Sequence, residues 1–313
     1  MTNTLSSSIC YLNGEYTPLK EAKISVLDRG FIFGDGVYEV LPVYSGNSFR
    51  FAHHMARLNR SLAELRIPNP LTVSQWKEIA TNLIAAHAQE VGATSANNIH
   101  TAEDKNSSVS VDQIIYIQVS RGVAPRDHVM PAGLTPTVFA MINLMKLPSA
   151  QARAEGVTCV SADDFRWEKA HIKSTSLLGA VFSRQISADV GALETIMFRG
   201  DYLSEAAASN VWVVKDGRLL GHVKDNMVLE GIRYGLFEEL CRTNNIGFEL
   251  RPITRAEVLS ADEILLSSAT KEVLPVTLLD GVKVGTGLPG TVYAKLYAAY
   301  QQAKQQAALE HSA

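Results

Sequence analysis

Two residues with complementary chemistry lie in the carboxy-terminal half of the sequence: Lys173, within HIKSTSLLGA, and Glu205, within LSEAAASNVW. The primary amine of Lys173 precedes the small-residue start of a predicted helix, and such an amine can form a Schiff base with an aldehyde. Glu205 precedes an Ala/Ser-rich turn between two predicted strands, where the backbone is free to aim its carboxylate at a protonated ring nitrogen. Either residue alone is a weak signal, because most lysines and glutamates are solvated surface charges.

Two later stretches predict a site for an anion. VLEGIRY predicts a helix that opens at Gly231, and the N–H groups and positive dipole end of such a helix suit a phosphate. DEILLSSAT predicts a strand that ends in the small polar run Ser267 to Thr270, whose backbone and hydroxyl donors could bind the same phosphate. The sequence contains no P-loop, dinucleotide-binding fingerprint or HExxH motif, and no metal site is expected.

The amino-terminal half offers a second group of polar side chains. Tyr38 lies in the strand VYEVLPVY, and Arg57 lies away from the apolar stripe of a helix predicted from His53 to Ile67. The loop RGVAPRDHVMPAG carries Arg126 and His128, and a guanidinium beside an imidazole can bind a carboxylate in a bidentate fashion. Each also has an interpretation that involves no function. Tyr38 could be a half-buried strand aromatic, Arg57 a solvated arginine, and Arg126 and His128 part of a solvated basic loop.

Turn residues and hydrophobic alternation predict the strands that would position these groups. Hairpin turns are expected at four dipeptides whose residue types tolerate positive φ: Asn13-Gly14, Gly200-Asp201, Asp216-Gly217 and Asp280-Gly281. In VYEVLPVY, a period of two places Tyr38 on one face and Val37, Glu39 and Leu41 on the other.

Apolar periodicity predicts the helices. The first has a stripe of Met55, Leu58, Leu62 and Leu65, and a second runs from Trp76 to about His87. A helix after Lys173, capped by Ser174 or Thr175, presents an apolar face. That face consists of Leu178, Val181, Phe182 and Ile186. A final amphipathic helix runs from Thr291 to about Ala307.

Composition narrows the class of protein. The length favours about two domains, and the net charge of −3 is spread along the chain without a basic stripe, which argues against nucleic acid and membrane partners. Three widely spaced cysteines are typical of reduced thiols in the cytoplasm. The amino terminus does not resemble a secretory signal, and no apolar run approaches the roughly 18 residues of a membrane span.

The same features divide the chain into domains. We expect a small N-terminal domain over residues 1–145, a linker over residues 146–150 and a larger C-terminal domain over residues 151–313. A polar insertion at about residues 91–112, which includes His100, is predicted to be a long surface loop.

Seven collinear stretches resemble one family, the fold-type IV pyridoxal phosphate enzymes, or class IV aminotransferases. In order, they are DRGFIFGDGVYEVLPVY, HHMARL, YIQVSRGVAPRDH, HIKSTSLLGAV, LSEAAASNVWVVKDG, VLEGIRY and SSATKEVLPV. The resemblance runs from about Ile9 to Tyr300 and leaves out the polar insertion and the last residues. The resemblance implies a two-domain α/β (α+β) protein. Its smaller N-terminal domain is α/β, and its larger C-terminal domain is built on a β-barrel-like sheet with flanking helices. The arginine–x–histidine loop and the VYEV strand are most similar to the D-amino acid aminotransferase branch.

The resemblance also implies a role for each matching residue. Lys173 holds pyridoxal 5′-phosphate and moves the proton during the reaction, and Glu205 contacts the pyridine nitrogen. The phosphate is bound by Arg57, by the helix start at Ile232 and Arg233, and by the turn at Ser268 and Ala269. Tyr38, Arg126 and His128 bind the substrate carboxylate, with the arginine and histidine supplied by the neighbouring subunit of a homodimer. Relatives usually carry threonine at the positions of Arg233 and Ala269, so backbone amides, Thr270 or the Arg233 side chain must replace two hydroxyl donors.

The expected activity is ping-pong transamination of D-amino acids such as D-alanine and D-glutamate with 2-oxo acids such as pyruvate and 2-oxoglutarate. Two alternatives within the family are a branched-chain L-amino acid aminotransferase and an aminodeoxychorismate lyase. A non-catalytic relative that only binds the cofactor is a third, which the joint presence of Lys173, Glu205 and Arg57 argues against.

Overall fold

The computed structural model describes residues 8–97 and 112–309, and the chain divides into two compact units. The described part of the first unit consists of residues 8–97, 112–145 and 173–176, and the second consists of residues 146–172 and 177–309. The short segment that carries Lys173 therefore belongs to the first unit, although the chain on both sides of it belongs to the second.

The first unit is built on a six-stranded antiparallel sheet. Its strands are β1 (Ile9–Leu12), β2 (Glu15–Pro18), β3 (Gly36–Tyr44), β4 (Asn47–Ser48), β5 (Gln113–Ser120) and β6 (Thr137–Leu144). Its helices are α1 (Arg29–Phe33), α2 (Phe51–Glu64) and α3 (Val73–Asn97). The strand order is β2-β1-β6-β5-β3-β4. The predicted turn at Asn13-Gly14 joins β1 to β2, with φ of 50° at Asn13 and 103° at Gly14, which confirms the first hairpin.

Helix α2 buries the predicted stripe of Met55, Leu58 and Leu62 against the sheet. Arg57, which the sequence placed away from this stripe, is buried as well, because a carboxylate on β3 binds it. Along β3 the predicted alternation is confirmed: the face of Val37, Glu39 and Leu41 is buried and Tyr38 is half-buried.

Helix α3 is longer than predicted and includes the start of the polar insertion. It continues through Gly92 to Asn97, so the first part of the insertion is helical rather than a loop. Alanine at positions 93 and 96 favours the helix, and a single glycine lowers its stability by only about 1 kcal/mol. The rest of the insertion, residues 98–111 with His100, lies outside the described residues.

The second unit contains a nine-stranded sheet and flanking helices. Its strands are β7 (Val157–Asp163), β8 (Glu194–Arg199), β9 (Tyr202–Ala206), β10 (Asn210–Lys215), β11 (Arg218–Gly221), β12 (Gly247–Leu250), β13 (Glu263–Ser268), β14 (Glu272–Leu279) and β15 (Val282–Lys283). Its helices are α4 (Ala150–Glu155), α5 (Leu178–Asp189), α6 (Arg233–Thr243), α7 (Arg255–Leu259) and α8 (Thr291–Leu309). The sheet order is β12-β11-β10-β13-β14-β7-β8-β9, and β15 pairs with β14.

This sheet curls into a half-barrel. Strand β9 is at one end of the strand order, yet a short turn at residues 207–209 joins it to β10, which is the third strand from the other end. The N–H of Ala206 donates to the carbonyl of Ser209 across that turn, so the edge strand must bend round towards β10. Buried apolar side chains such as Phe198, Val213 and Leu266 fill the curled sheet. The predicted β-barrel-like second domain is therefore confirmed.

Turn chemistry explains three hairpin connections in the second unit. The predicted hairpins at Gly200-Asp201, Asp216-Gly217 and Asp280-Gly281 are all present, with positive φ at Gly200, Asp216, Gly217, Asp280 and Gly281. The predicted final helix is also confirmed as α8. Within the described ranges, no helix is long and apolar enough to cross a bilayer.

Helix α5 differs from its prediction in two ways. It begins at Leu178 after the N-cap Leu177, which makes no side-chain capping bond, so neither Ser174 nor Thr175 caps it. Both of those residues instead pair with the first unit. The predicted apolar face is present but exposed: Leu178 is 70% exposed, and Val181 and Phe182 are each 59% exposed.

Candidate active site

The backbone around Lys173 is fixed to β3 and α2. The N–H of Tyr38 donates to the Lys173 carbonyl at 3.0 Å, and the N–H of Lys173 donates to Ser61 Oγ on α2 at 3.2 Å. The bridge between Val37 and Ser174 continues this pairing, so the segment lies along β3 like an additional short strand. The lysine is therefore held on rigid elements of the first unit, although it is followed directly by a helix of the second.

Two glycines of FGDG allow close packing against this segment and against β5. Gly34 adopts φ of +65°, a left-handed conformation that glycine adopts without a steric cost, and a Cβ there would lie 2.8 Å from Ser176 Oγ. A Cβ on Gly36 would lie 2.7 Å from the carbonyl oxygen of Val119. The hydroxyl of Thr175 donates to the Gly34 carbonyl at 2.9 Å, which ties the two stretches together.

The side chain of Lys173 lies over the ring of Tyr38. Its Nζ is 4.0 Å from the ring centroid, a cation–π distance, and the residue is only partly exposed. Tyr38 stacks in turn on Tyr116, with ring centroids 5.7 Å apart. Burial, with a smaller contribution from neighbouring Tyr38, raises the pKa of Tyr116 to about 12, so that phenol stays protonated and donates to Gln118 Oε1 at 2.8 Å. The structure thus brings the predicted lysine and tyrosine together.

On the opposite face of β3, Glu39 holds Arg57. Nε and Nη2 of Arg57 donate to the two oxygens of Glu39 at 2.7 and 2.8 Å, and His54 Nδ1 lies 2.8 Å from Oε2. Burial alone would raise the pKa of Glu39, but the charge and hydrogen bonds of Arg57 outweigh it and keep that pKa well below its ordinary value. Sequence reasoning missed this partner, although its position between Val37 and Leu41 on the apolar face was a usable signal of burial.

Arg126 and His128 both lie next to one aromatic ring, that of Phe33. The Cζ of Arg126 is 5.5 Å and the ring of His128 is 5.3 Å from the centroid of Phe33. Arg29 fixes the loop by donating from Nη1 to the Asp127 carbonyl at 2.6 Å. Both predicted carboxylate-binding side chains are exposed in the single chain.

The third cation of the same loop, Arg121, has a different environment. It is buried and binds Asp35 through Nε at 2.7 Å and Nη2 at 2.9 Å, while Nη2 also donates to the Leu65 carbonyl at 2.7 Å. Arg121 therefore stabilises the base of the loop and is not part of the predicted carboxylate trap.

In the second unit, Glu205 is inside β9 and not between strands as the sequence suggested. Arg166 Nη1 donates to its Oε1 at 2.6 Å, and Oε2 accepts from Asn210 Nδ2 and from the Leu229 N–H, each at 3.1 Å. Burial raises the pKa of Glu205, and the charge and hydrogen bond of Arg166 limit that rise. Three donors thus hold the carboxylate in place. Desolvation favours its neutral form, whereas the bond from Arg166 favours its ionised form.

Arg166 is itself fixed by Asp164. Its Nε and Nη2 donate to the two oxygens of that carboxylate at 2.9 and 2.8 Å. Although burial would raise it, the pKa of Asp164 is lowered to about 2 by Arg166, so this carboxylate is ionised at neutral pH. Ser204 and Arg199 also donate to Asp164, at 2.8 and 3.2 Å. Arg166 lies in the stretch DDFRWEKAHIK, and nothing in the sequence spacing of Arg166 and Glu205 indicates that they pair.

Four of the predicted phosphate-binding residues lie in the second unit, at the start of a helix and just after a strand. Ile232 is the N-cap of α6 and Arg233 is its first residue, while Ser268 ends β13 and Ala269 follows it. Arg233 Nη2 is 3.5 Å from the Ala269 carbonyl, so the structure brings the helix start and the turn together. The same nitrogen donates to the hydroxyl of Tyr300 at 2.8 Å.

Asn210 holds the segment that leads into α6. Its Nδ2 donates to the Leu229 carbonyl at 2.8 Å as well as to Glu205. A Cβ added to Gly231 would lie 2.1 Å from Asn210 Oδ1, so only glycine fits at this position. One side chain therefore links the carboxylate to the segment that leads into the helix.

The chemistry of these groups fits pyridoxal phosphate. The cofactor needs an amine for its aldehyde, a carboxylate for its ring nitrogen and N–H donors for its phosphate. Within the first unit the amine of Lys173 stands on a fixed backbone. Within the second unit, Asn210 links the buried carboxylate of Glu205 to the segment that leads into the N-terminus of α6. No group of three or more metal-ligating side chains occurs in the described part of the chain.

Comparisons with known proteins agree with this chemistry. The family model described as amino-transferase class IV matches residues 36–279. A D-alanine aminotransferase of Bacillus licheniformis is 34% identical over 289 residues, which cover 92% of this chain and 94% of that protein. A D-alanine aminotransferase of Listeria monocytogenes is 33% identical over 288 residues, covering 91% and 92%.

Solved structures show the same fold at lower identity. The branched-chain amino acid aminotransferase of Escherichia coli aligns with a TM-score of 0.79 and 22% identity over 95% of this chain and 94% of its own. A second branched-chain amino acid aminotransferase, from T.th. and complexed with N-(5′-phosphopyridoxyl)-L-glutamate, aligns with a TM-score of 0.78 and 20% identity, covering 96% and 94%. The fold is thus that of the fold-type IV enzymes, and the chain belongs to the class IV aminotransferases, which are pyridoxal phosphate-dependent transaminases.

Proposed function

We propose that this enzyme transfers amino groups from D-amino acids, with D-alanine and D-glutamate as donors, to 2-oxo acids such as pyruvate and 2-oxoglutarate. The observation that carries the proposed mechanism is the fixed Lys173 segment, whose amine lies over Tyr38. The preference for D-amino acids is supported by the relatives of about one-third identity, which are D-alanine aminotransferases, and by the arginine–x–histidine loop.

Lys173 is proposed to be the residue that moves the proton. When bound, pyridoxal phosphate would supply an electron sink that makes the proton on Cα of the donor easier to remove. Lys173 Nζ, in its neutral form, would accept the proton from Cα and deliver it to C4′ of the cofactor. The Tyr38 ring, 4.0 Å away, stabilises the ammonium that forms, by about 0.5–2 kcal/mol.

Glu205 is proposed to hold a proton on the ring nitrogen of the cofactor. It can do so only when it is ionised, and its burial favours the neutral form. Arg166, 2.6 Å away, opposes that effect, and the Arg166–Asp164 fork keeps the guanidinium in position. We therefore assign Arg166 a positioning and electrostatic role, one step removed from the cofactor.

The remaining residues are proposed to bind the two anionic groups. The backbone N–H groups at Ile232 and Arg233, the turn at Ser268 and Ala269, and the guanidinium of Arg57 bind the phosphate. Tyr38, Arg126 and His128 bind the α-carboxylate of the substrate, which orients Cα for the proton transfer.

We further propose a homodimer in which Arg126 and His128 serve the site of the other subunit. Both side chains are exposed in the single chain, beside the exposed apolar residues Val129 and Met130. The apolar face of α5 is exposed too, and an uncovered stripe of this kind is typical of a protein interface.

All three cysteines are free and buried, which supports a location in the reducing cytoplasm.

A substrate panel tests the proposal. The purified holoenzyme would be assayed with D- and L-alanine, D-glutamate and L-leucine against pyruvate and 2-oxoglutarate, and separately with aminodeoxychorismate. We expect turnover of the D-amino acids and little turnover of the L-enantiomers. Preference for L-leucine would identify a branched-chain aminotransferase, and release of pyruvate from aminodeoxychorismate without an amino acceptor would identify a lyase. Either result would overturn the substrate assignment.

A further inference from the structure

The side chain of Arg233 joins three segments of the second unit. Its backbone is the first residue of α6, and its Nη2 donates to the hydroxyl of Tyr300 in α8 at 2.8 Å. The same nitrogen is 3.5 Å from the carbonyl oxygen of Ala269, in the turn that follows β13. Arg233 and Tyr300 are both buried, so this contact is part of the packed interior.

Two of those segments carry the N–H groups proposed to bind the phosphate. Groups on a helix start and on a separate turn can bind one phosphate only if their separation is fixed. Asn210 fixes the chain just before the helix through the Leu229 carbonyl. The Arg233 side chain fixes the first turn of the helix against α8 and the turn after β13.

The stability of α6 does not by itself explain an arginine at this position. A cation at the N-terminus of a helix is opposed by the helix dipole, and burial removes its charge from water. Both costs are reduced when an anion binds at the same terminus. The position of Arg233 is therefore linked to the phosphate.

We propose that Arg233 is a positioning residue for phosphate binding, which acts by bridging Tyr300 and the Ala269 carbonyl. Its guanidinium holds the start of α6 and the turn after β13 at the separation that one phosphate requires. This inference rests on the proposed function, because it takes the phosphate site from it.

The experiment compares pyridoxal phosphate with pyridoxal, which lacks the phosphate. Apoprotein would be titrated with each compound and the ratio of the dissociation constants measured for wild type, Tyr300→Phe and Arg233→Met. Tyr300→Phe removes one hydrogen bond to a charged group, so we expect about tenfold weaker binding of pyridoxal phosphate and unchanged binding of pyridoxal. Arg233→Met should show a larger loss in the same direction. Tyr297→Phe, on the same helix α8, is the matched control and should keep the wild-type ratio.

The other outcomes separate the alternatives. Equal losses for both compounds would show a general structural role, and tighter binding of pyridoxal phosphate by Tyr300→Phe would show that the guanidinium is a direct ligand that Tyr300 restrains. Either result overturns the inference. Wild-type protein that does not discriminate between the two compounds would instead overturn the phosphate site itself. Thermal denaturation of each apoprotein identifies a variant that fails to fold, and Tyr300→Phe then decides alone.

Discussion

Replacing Arg166 by methionine should shift the pH dependence of catalysis. Glu205 is buried and its pKa is already raised by desolvation, and Arg166 is the cation that limits this rise. Without the guanidinium, the pKa of Glu205 rises further, because the nearby charge of Asp164 then acts on it without compensation. A neutral Glu205 cannot hold a proton on the ring nitrogen, so the acid limb of the kcat/KM profile should move to higher pH.

The size of the effect follows from the contact that is lost. The bond from Arg166 Nη1 to Glu205 Oε1 measures 2.6 Å and joins two charged groups in the interior. Hydrogen bonds to charged groups contribute about 1.5–3 kcal/mol, which corresponds to a loss of about ten- to a hundredfold in kcat/KM at a pH within the shifted limb. At higher pH, where Glu205 ionises in the variant too, much of this loss should be recovered.

The assay is kcat/KM for D-alanine and 2-oxoglutarate over a range of pH, with two comparison variants. Arg199→Met also removes an arginine that binds Asp164, at 3.2 Å, but leaves the contact with Glu205 intact, so its acid limb should stay in place. Arg166→Lys keeps the positive charge but cannot bind both oxygens of Asp164 at once, so its acid limb should shift by an intermediate amount. If Arg166→Met kept the wild-type acid limb, or lost kcat/KM by the same factor at every pH, the electrostatic role of Arg166 would be refuted.

Other substitutions probe the stability of the first unit and the assembly of the protein. Glu39→Gln should lower the free energy of unfolding of the apoprotein by about 3–5 kcal/mol, because it neutralises the buried carboxylate that binds Arg57 through two hydrogen bonds. Since the pKa of Glu39 is lowered in the fold, its contribution is present above the unfolded pKa and lost as pH falls below it. Urea titrations should therefore show a smaller difference between variant and wild type in acid, and a constant difference would contradict this. Phe182→Asp should shift the sedimentation coefficient towards that of a monomer, and an unchanged dimer would exclude the α5 face from the interface. Mixing unfolded Lys173→Ala and Arg126→Ala chains and refolding them should restore about one quarter of the wild-type sites, since half of randomly assorted dimers are mixed. No restoration would show that both residues act within one chain.

Local chemistry made much of the fold predictable. The hairpins follow from residues that tolerate positive φ, and the two faces of β3 follow from alternation. The family resemblance supplied the order of the elements and the half-barrel, because the stretches that carry it are collinear with the strands and helices they form.

The contacts between distant residues were not predictable from spacing. Glu39 and Arg57 are on different elements, and Arg166 and Glu205 are farther apart in sequence, so their pairing depends on the packed fold. The Lys173 segment, which joins the first unit, is a similar case. Amphipathicity predicted the apolar face of α5 correctly, but a period of 3.6 residues does not say whether the same chain covers that face.

The most direct test of the proposed chemistry is reduction of the purified holoenzyme with borohydride, followed by proteolysis and mass spectrometry. We expect the yellow colour to be lost and a phosphopyridoxyl group to be found on the peptide containing Lys173 and on no other. A label on a different lysine, or a protein that binds no pyridoxal phosphate, would contradict the role assigned to Lys173.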